Sequence, residues 1–349
     1  MKNLKIKIML ALAISVLSAF GVVICAAAQD KVETKSPANV ILVGWDGAQR
    51  DHLMELLSSG RLPNLQKLIS EGSMALTEVT KSATQTKPGW AEILTGYSAK
   101  RLRIRNNRYY EPIPAGYTVF ERLGKFFGRR NITTVFLTGK INNLGARGPH
   151  EICMNCISRG STHAKTNWWD KKSITTSQTE DGKPPVWARR QGEPYFNTIK
   201  SVDSYASELG SAKNVGEQAL AALDRYQKEP FFAFFHFEEP DEQGHLYNEN
   251  SKEYGEAIIT ADQWLGEIVK KLSALGIYEK TTVYVATDHG MDEGGFEHHN
   301  APQTLLAVNN GIKLKNGDRK DVTPTILEEY GIDLKSITPA LDGKSLLSK

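Results

Sequence analysis

The chain has 349 residues, of which 40% are hydrophobic and 24% charged. That is ordinary globular composition with length enough for a large core, and it excludes disorder, collagen and a multi-span membrane protein. Beyond residue 28 the 40 Lys and Arg balance 40 Asp and Glu, a neutrality that excludes a dedicated nucleic-acid binder but not a nucleotide as a small substrate.

Residues 1–28 carry Lys2, Lys5 and Lys7, then an apolar run from Ile8 to Ile24, then Ala26-Ala27-Ala28. These are the three parts of a secretory signal peptide, which predicts a periplasmic or secreted protein with no membrane insertion after cleavage; the other reading is a retained anchor. Asn39-Val-Ile-Leu-Val-Gly-Trp-Asp46-Gly reads as a buried parallel strand ending in a carboxylate. Helical patterns follow at 50–59 and at 64–71, the second entered by Pro63 and stopped by Gly72. Strands of the same buried kind are expected at 133–137, 231–237, 281–286 and 304–308, with helices at 214–227 and 253–274. The alternation predicts an α/β fold, a mainly parallel sheet with helices on both faces, built from 29–139 and 213–349.

Between 140 and 212 no period of either kind persists, so this stretch is expected to be an inserted cap over the strand ends. Trp168, Trp169 and Trp187 either pack it down or offer stacking surfaces to a substrate. Without Cys25, Cys153 and Cys156 are the remaining cysteines, and in an oxidising compartment they predict a local disulfide.

The chemistry gathers at strand ends. Asp46 follows the first strand, Asp241 and His245 follow 231–237, Asp288 and His289 follow 281–286, and His298 and His299 come just beyond. In an open α/β sheet such ends converge on one crevice, where mixed Asp and His donors suit two zinc-like ions with open positions. Thr86, two residues before Pro88, stands at a helix N-terminus, where backbone N–H groups favour an anion. It is either a metal-activated nucleophile or a plain helix cap.

The motifs Val-Gly-Trp-Asp46-Gly, Thr86-Lys-Pro with Leu94-Thr95-Gly96, Glu-Glu-Pro-Asp241 through Gly244-His245, and Thr-Asp288-His289-Gly-Met, with the closing Asp321-Val-Thr-Pro-Thr segment, resemble the alkaline phosphatase superfamily. The nearest likeness is to its type I phosphodiesterase and nucleotide pyrophosphatase branch. The resemblance implies one metal on Asp241, His245 and His298, with His299 as the alternative ligand, and a second on Asp46, Thr86, Asp288 and His289. It also implies two divalent ions, Zn first, and an Asn about twenty residues past the nucleophile that holds a phosphoryl oxygen; Asn107 stands there, beside Asn106. The expected reaction is hydrolysis of a phosphodiester or pyrophosphate bond in a small substrate through a phosphothreonine on Thr86. A phosphomonoesterase or phosphonate hydrolase on the same site is the alternative, and Lys140, Arg147, Arg159, Arg189 and Arg190 are cations that could favour a monoester. A metal-binding protein on an inactive scaffold is the non-enzyme alternative. The pattern departs from the branch at Gly89-Trp90, where Asn and His are usual. Thr86 also argues against a sulfatase, whose nucleophile is made from Cys or Ser.

Overall fold

A computed structural model describes residues 38–140, 143–153, 155, 179 and 182–348. The expected signal peptide, Cys156, Arg159, Trp168 and Trp169 lie outside the described residues.

In chain order the main elements are β1 (Asn39–Trp45), α1 (Arg50–Ser58), α2 (Pro63–Ser70), β2 (Ser73–Glu78), α3 (Thr86–Thr95), α4 (Val119–Phe127) and β3 (Thr133–Thr138). They continue with β4 (His150–Cys153), β5 (Trp187–Arg190), β6 (Ser204–Ala206), α5 (Ala212–Tyr226), β7 (Phe231–Phe237), α6 (Glu239–Tyr247) and α7 (Lys252–Ala274). Last come β8 (Thr281–Thr287), β9 (Gln303–Val308), β10 (Gly317–Asp318) and α8 (Val322–Glu329).

The sheet runs β10-β2-β9-β8-β1-β7-β3-β6. β1, β7 and β8 are buried along almost their whole length, as expected where both faces of a central strand are covered and its sequence is mainly apolar. Alternate side chains then serve two cores. Val40 and Leu42 face a cluster with Ile93 of α3, Phe120 of α4 and Ile326 of α8. Ile41 and Val43 face Leu53 of α1, Leu65 of α2, Ala219 of α5 and Ile258 of α7.

The register is what builds the crevice. Trp45 pairs with Phe237 on one side and Thr287 on the other, so β1, β7 and β8 stop level and hand the chain to Asp46, Glu238 and Asp288 at one edge.

Two expectations need correction. The 304–308 strand is not parallel: β9 runs antiparallel to both β8 and β2. Its apolar run is the same whichever way it points, so composition cannot show direction. And within the 140–212 stretch, Ser204–Ala206 pairs parallel to β3 as an edge strand of the main sheet, whereas β4 and β5 form a separate antiparallel pair. Three residues are too few to display a period of two. β2 and α4 carry no expectation from sequence, although Thr118 and Glu121 form a reciprocal capping box at the start of α4.

Candidate metal centre

Each strand end supplies a candidate ligand because of how it stops. Past β1 the chain turns at Gly47, whose φ of +66° suits glycine and whose missing Cβ would lie 2.7 Å from the Asp241 Cβ. The turn lets Asp46 accept the Asp241 backbone N–H at its carbonyl, 3.0 Å away, and lets the Gly47 N–H donate to Asp288 Oδ1 at 3.2 Å. Past β7, α6 starts at once and sets Asp241 and His245 one helical turn apart. Past β8 come Asp288 and His289. The reversal of β9 brings in the last candidate: its N-terminal end lies at the same edge, so the loop before it, not after it, delivers His298.

Two donor groups result. Asp241, His245 and His298 offer ligand atoms within 4.8 Å of one another, as do Asp46, Asp288 and His289. His245 Nε2 and His298 Nε2 face each other at 3.1 Å and lie 3.4 and 3.6 Å from Asp241 Oδ1. His289 Nε2 is 3.3 Å from Asp288 Oδ2 and 3.6 Å from Asp46 Oδ1. Thr86, the first residue of α3, has its hydroxyl 3.5 Å from the same Asp46 oxygen. The residue that caps α3 is Gln85, not Thr86.

These atoms fit cations better than one another. Asp241 Oδ1, Asp288 Oδ2 and His289 Nε2 are buried and lack hydrogen-bond partners, an arrangement that is costly unless a metal completes it. Two of the three imidazoles have their other nitrogen committed: His245 Nδ1 to the Phe296 carbonyl at 2.6 Å and His289 Nδ1 to the Gly290 carbonyl at 2.9 Å. Burial, reinforced by His298, pulls the His289 imidazole down to about 3, so it is neutral, the form that ligates. Burial and the neighbouring Asp46 push the Asp288 carboxyl well up, which is the repulsion a divalent ion would relieve. For Asp46 burial acts upward, but Lys140 and the His236 hydrogen bond leave its carboxyl below the usual range.

Several site residues were not legible in the sequence. His236 Nε2 at 2.8 Å and Trp90 Nε1 at 3.1 Å both donate to Asp46 Oδ2, which leaves Oδ1 turned to Thr86 and His289. Thr138 Oγ1 bonds the other His236 nitrogen at 3.0 Å and fixes the tautomer. The one signal was a single polar residue in the run Phe-Phe-Ala-Phe-Phe-His236-Phe. Lys140, expected from sequence as a cation toward the substrate, instead has its Nζ 2.5 Å from Asp241 Oδ2. Arg319 is fully buried and ties three segments: Nε donates to Glu92 of α3 at 2.7 Å, Nη1 to the Asp288 carbonyl at 2.6 Å and Nη2 to the Ala83 carbonyl at 2.8 Å. Gly89 permits this, since a Cβ there would lie 2.8 Å from that of Asp288.

Asn107 lies across the mouth of α3: its Oδ1 accepts the Lys87 N–H at 2.9 Å and its own N–H donates to Gln85 Oε1 at 2.8 Å. Asn106 instead closes a turn, accepting the N–H groups of Arg108 and Tyr109. His299 is exposed, belongs to neither donor group, and its backbone N–H donates to Asp292; the alternation of side chains along an extended loop turns one neighbour in and the other out. Cys153 is disulfide-bonded.

Residues 40–336 match the model of the type I phosphodiesterase / nucleotide pyrophosphatase family. The chain belongs to this family. It is 25% identical over 265 residues to a bis(5'-adenosyl)-triphosphatase ENPP4 of Pongo abelii, covering 74% of this chain and 48% of that protein. It is also 24% identical over 302 residues to ectonucleotide pyrophosphatase/phosphodiesterase family member 1 of Mus musculus, covering 85% of this chain and 29% of that one. The chain thus spans about half the length of the ENPP4 relatives or less. Among solved structures, an alkaline phosphatase superfamily protein from Vibrio parahaemolyticus aligns with a TM-score of 0.53 at 15% identity over 90% of this chain and 70% of that one. At that identity the likeness shows a shared fold, in agreement with the expected alkaline-phosphatase-like architecture. No helix among the described residues is long and apolar enough to cross a membrane.

Proposed function

We propose that this chain is a secreted hydrolase of phosphodiester or pyrophosphate bonds that works through Thr86 and two divalent ions, zinc first. The observation that carries the reading is the Thr86 hydroxyl at the first position of α3, 3.5 Å from a carboxylate oxygen that also faces His289. The name of the ENPP4 relative, a triphosphatase of bis(5'-adenosyl) compounds, supports a pyrophosphate or diester bond over a monoester.

Asp241, His245 and His298 would hold one ion, and Asp46, Thr86, Asp288 and His289 the other. When bound, the ions supply positive charge that favours an ionised threonine and a departing oxygen. The rest is done by the chain. α3 presents Thr86 from a helix N-terminus, where N–H groups face the incoming phosphate. Asn107, clamped at its Oδ1, keeps its Nδ2 for a phosphoryl oxygen without adding charge. Thr86 Oγ forms a bond to phosphorus as the ester oxygen leaves on the opposite side. Water then cleaves the phosphothreonine and returns the hydroxyl. The separate β4–β5 pair is assigned to a cap over this mouth.

Thr86→Ala tests the reading with bis(p-nitrophenyl) phosphate as substrate. The variant should fold and bind metal yet lose turnover by at least a thousandfold, with Thr86→Ser retaining part of it. A near wild-type rate in Thr86→Ala would overturn the proposed nucleophile.

A further inference from the structure

The fully buried cations among the described residues are Lys87 and Arg319, and their surroundings differ. Arg319 is neutralised by Glu92 at 2.7 Å. Lys87, 5% exposed, has partners without charge: its Nζ donates to Asn143 Oδ1 at 2.9 Å and lies 4.5 Å from the centre of the Tyr110 ring. The Arg190 guanidinium stands 5.2 Å from the same ring. The buried acid of this neighbourhood, Glu193, acts on Lys87 through space but makes its hydrogen bond to the Arg147 N–H at 2.7 Å. An ammonium taken out of water with no carboxylate in contact is expensive to keep, and this one directly follows Thr86 and donates its backbone N–H to Asn107.

We infer that Lys87, Asn143 and Tyr110, with Arg190 alongside, form a subsite for an acidic substituent, phosphate or carboxylate, carried on the arm of the substrate that stays on phosphorus. The side follows from the reaction. In-line displacement sends the leaving oxygen opposite Thr86 Oγ, so a group beside Thr86 on its own helix flanks the retained arm. Asn107 is neutral and reads the scissile phosphate; Lys87 reads a second charge. The inference rests on the hydrolase reading above.

A matched substrate pair tests it: the p-nitrophenyl ester of thymidine 5'-phosphate, and the same ester bearing a 3'-phosphate. Both release p-nitrophenol and differ only on the retained arm. Wild type should favour the 3'-phosphorylated ester in kcat/KM. Lys87→Met should lower that preference at least tenfold, with Lys87→Arg restoring most of it. Because Lys87→Met could disturb folding, binding is measured separately on metal-loaded protein. Thr86→Ala/Lys87→Met should bind the 3'-phosphorylated ester at least tenfold more weakly than Thr86→Ala, with equal melting temperatures. Equal losses on both esters would make Lys87 structural, and an unchanged ratio would remove the subsite; either overturns the inference. A shift seen with p-nitrophenyl phosphate but not with the pair overturns it too, since Lys87 would then serve the scissile phosphate. Failure of the hydrolase reading looks different: metal-loaded wild type would turn over neither ester, or Thr86→Ala would still turn over both.

Discussion

Trp90→Phe isolates one hydrogen bond at the heart of the site. The indole Nε1–H donates to Asp46 Oδ2 at 3.1 Å, and the ring packs at 5.2 Å from Phe234 and 4.9 Å from His236, centre to centre. Phenylalanine keeps an aromatic ring there and removes the N–H. A hydrogen bond to a charged acceptor contributes roughly 1.5–3 kcal/mol. The lost volume, about 40 Å³, adds ~1 kcal/mol at roughly 24 cal/mol per Å³. Together they predict a destabilisation of about 2.5–4 kcal/mol. With an unfolding entropy near 2.1 cal/mol/K per residue, that is a fall in Tm of about 3–6 °C. Freed on one side, Asp46 should aim less well, and metal affinity or kcat should fall about 10–100-fold, as is usual when a partner of a ligand is lost. Differential scanning calorimetry, zinc titration and bis(p-nitrophenyl) phosphate turnover read the three effects. His236→Phe removes the other donor to the same oxygen, so the double variant should depart from additivity. Metal affinity and kcat/KM both within twofold of wild type, with the cavity term alone visible in Tm, would refute the role given to the indole.

Among the remaining predictions, His298→Ala should lose one metal equivalent by elemental analysis, whereas His299→Ala should keep both; equal losses would reopen the choice of ligand. Chelation should lower Tm, because ions at a thousandfold excess over Kd stabilise by about 4 kcal/mol per site and their removal leaves Asp46, Asp241 and Asp288 crowded; an unchanged Tm would speak against metals in this crevice. Gly47→Ala should cut metal affinity and stability together, since its Cβ would meet the Asp241 Cβ at 2.7 Å; wild-type values would show that the turn has room to give.

Much of this protein is set by local chemistry that a sequence displays. Mainly apolar runs that stop at an acidic residue mark β1, β7 and β8 as central strands, because only strands covered on both faces bury every side chain. The order of the motifs then carries the family, and with it Asp46, Thr86, Asp241, His245, Asp288 and His289 as a candidate set. What the chain alone leaves open is direction and distance. That β9 runs against its neighbours, which is why His298 precedes its strand while the other ligands follow theirs, depends on pairing between segments far apart in sequence. The same is true of Trp90 and His236 meeting on one oxygen of Asp46, of Arg319 reaching Asp288 from 31 residues away, and of Lys87 having no carboxylate in contact. A hydrogen bond of this kind leaves no pattern in either partner's neighbours, because it is fixed by the packing of α3 on the sheet rather than by the local backbone.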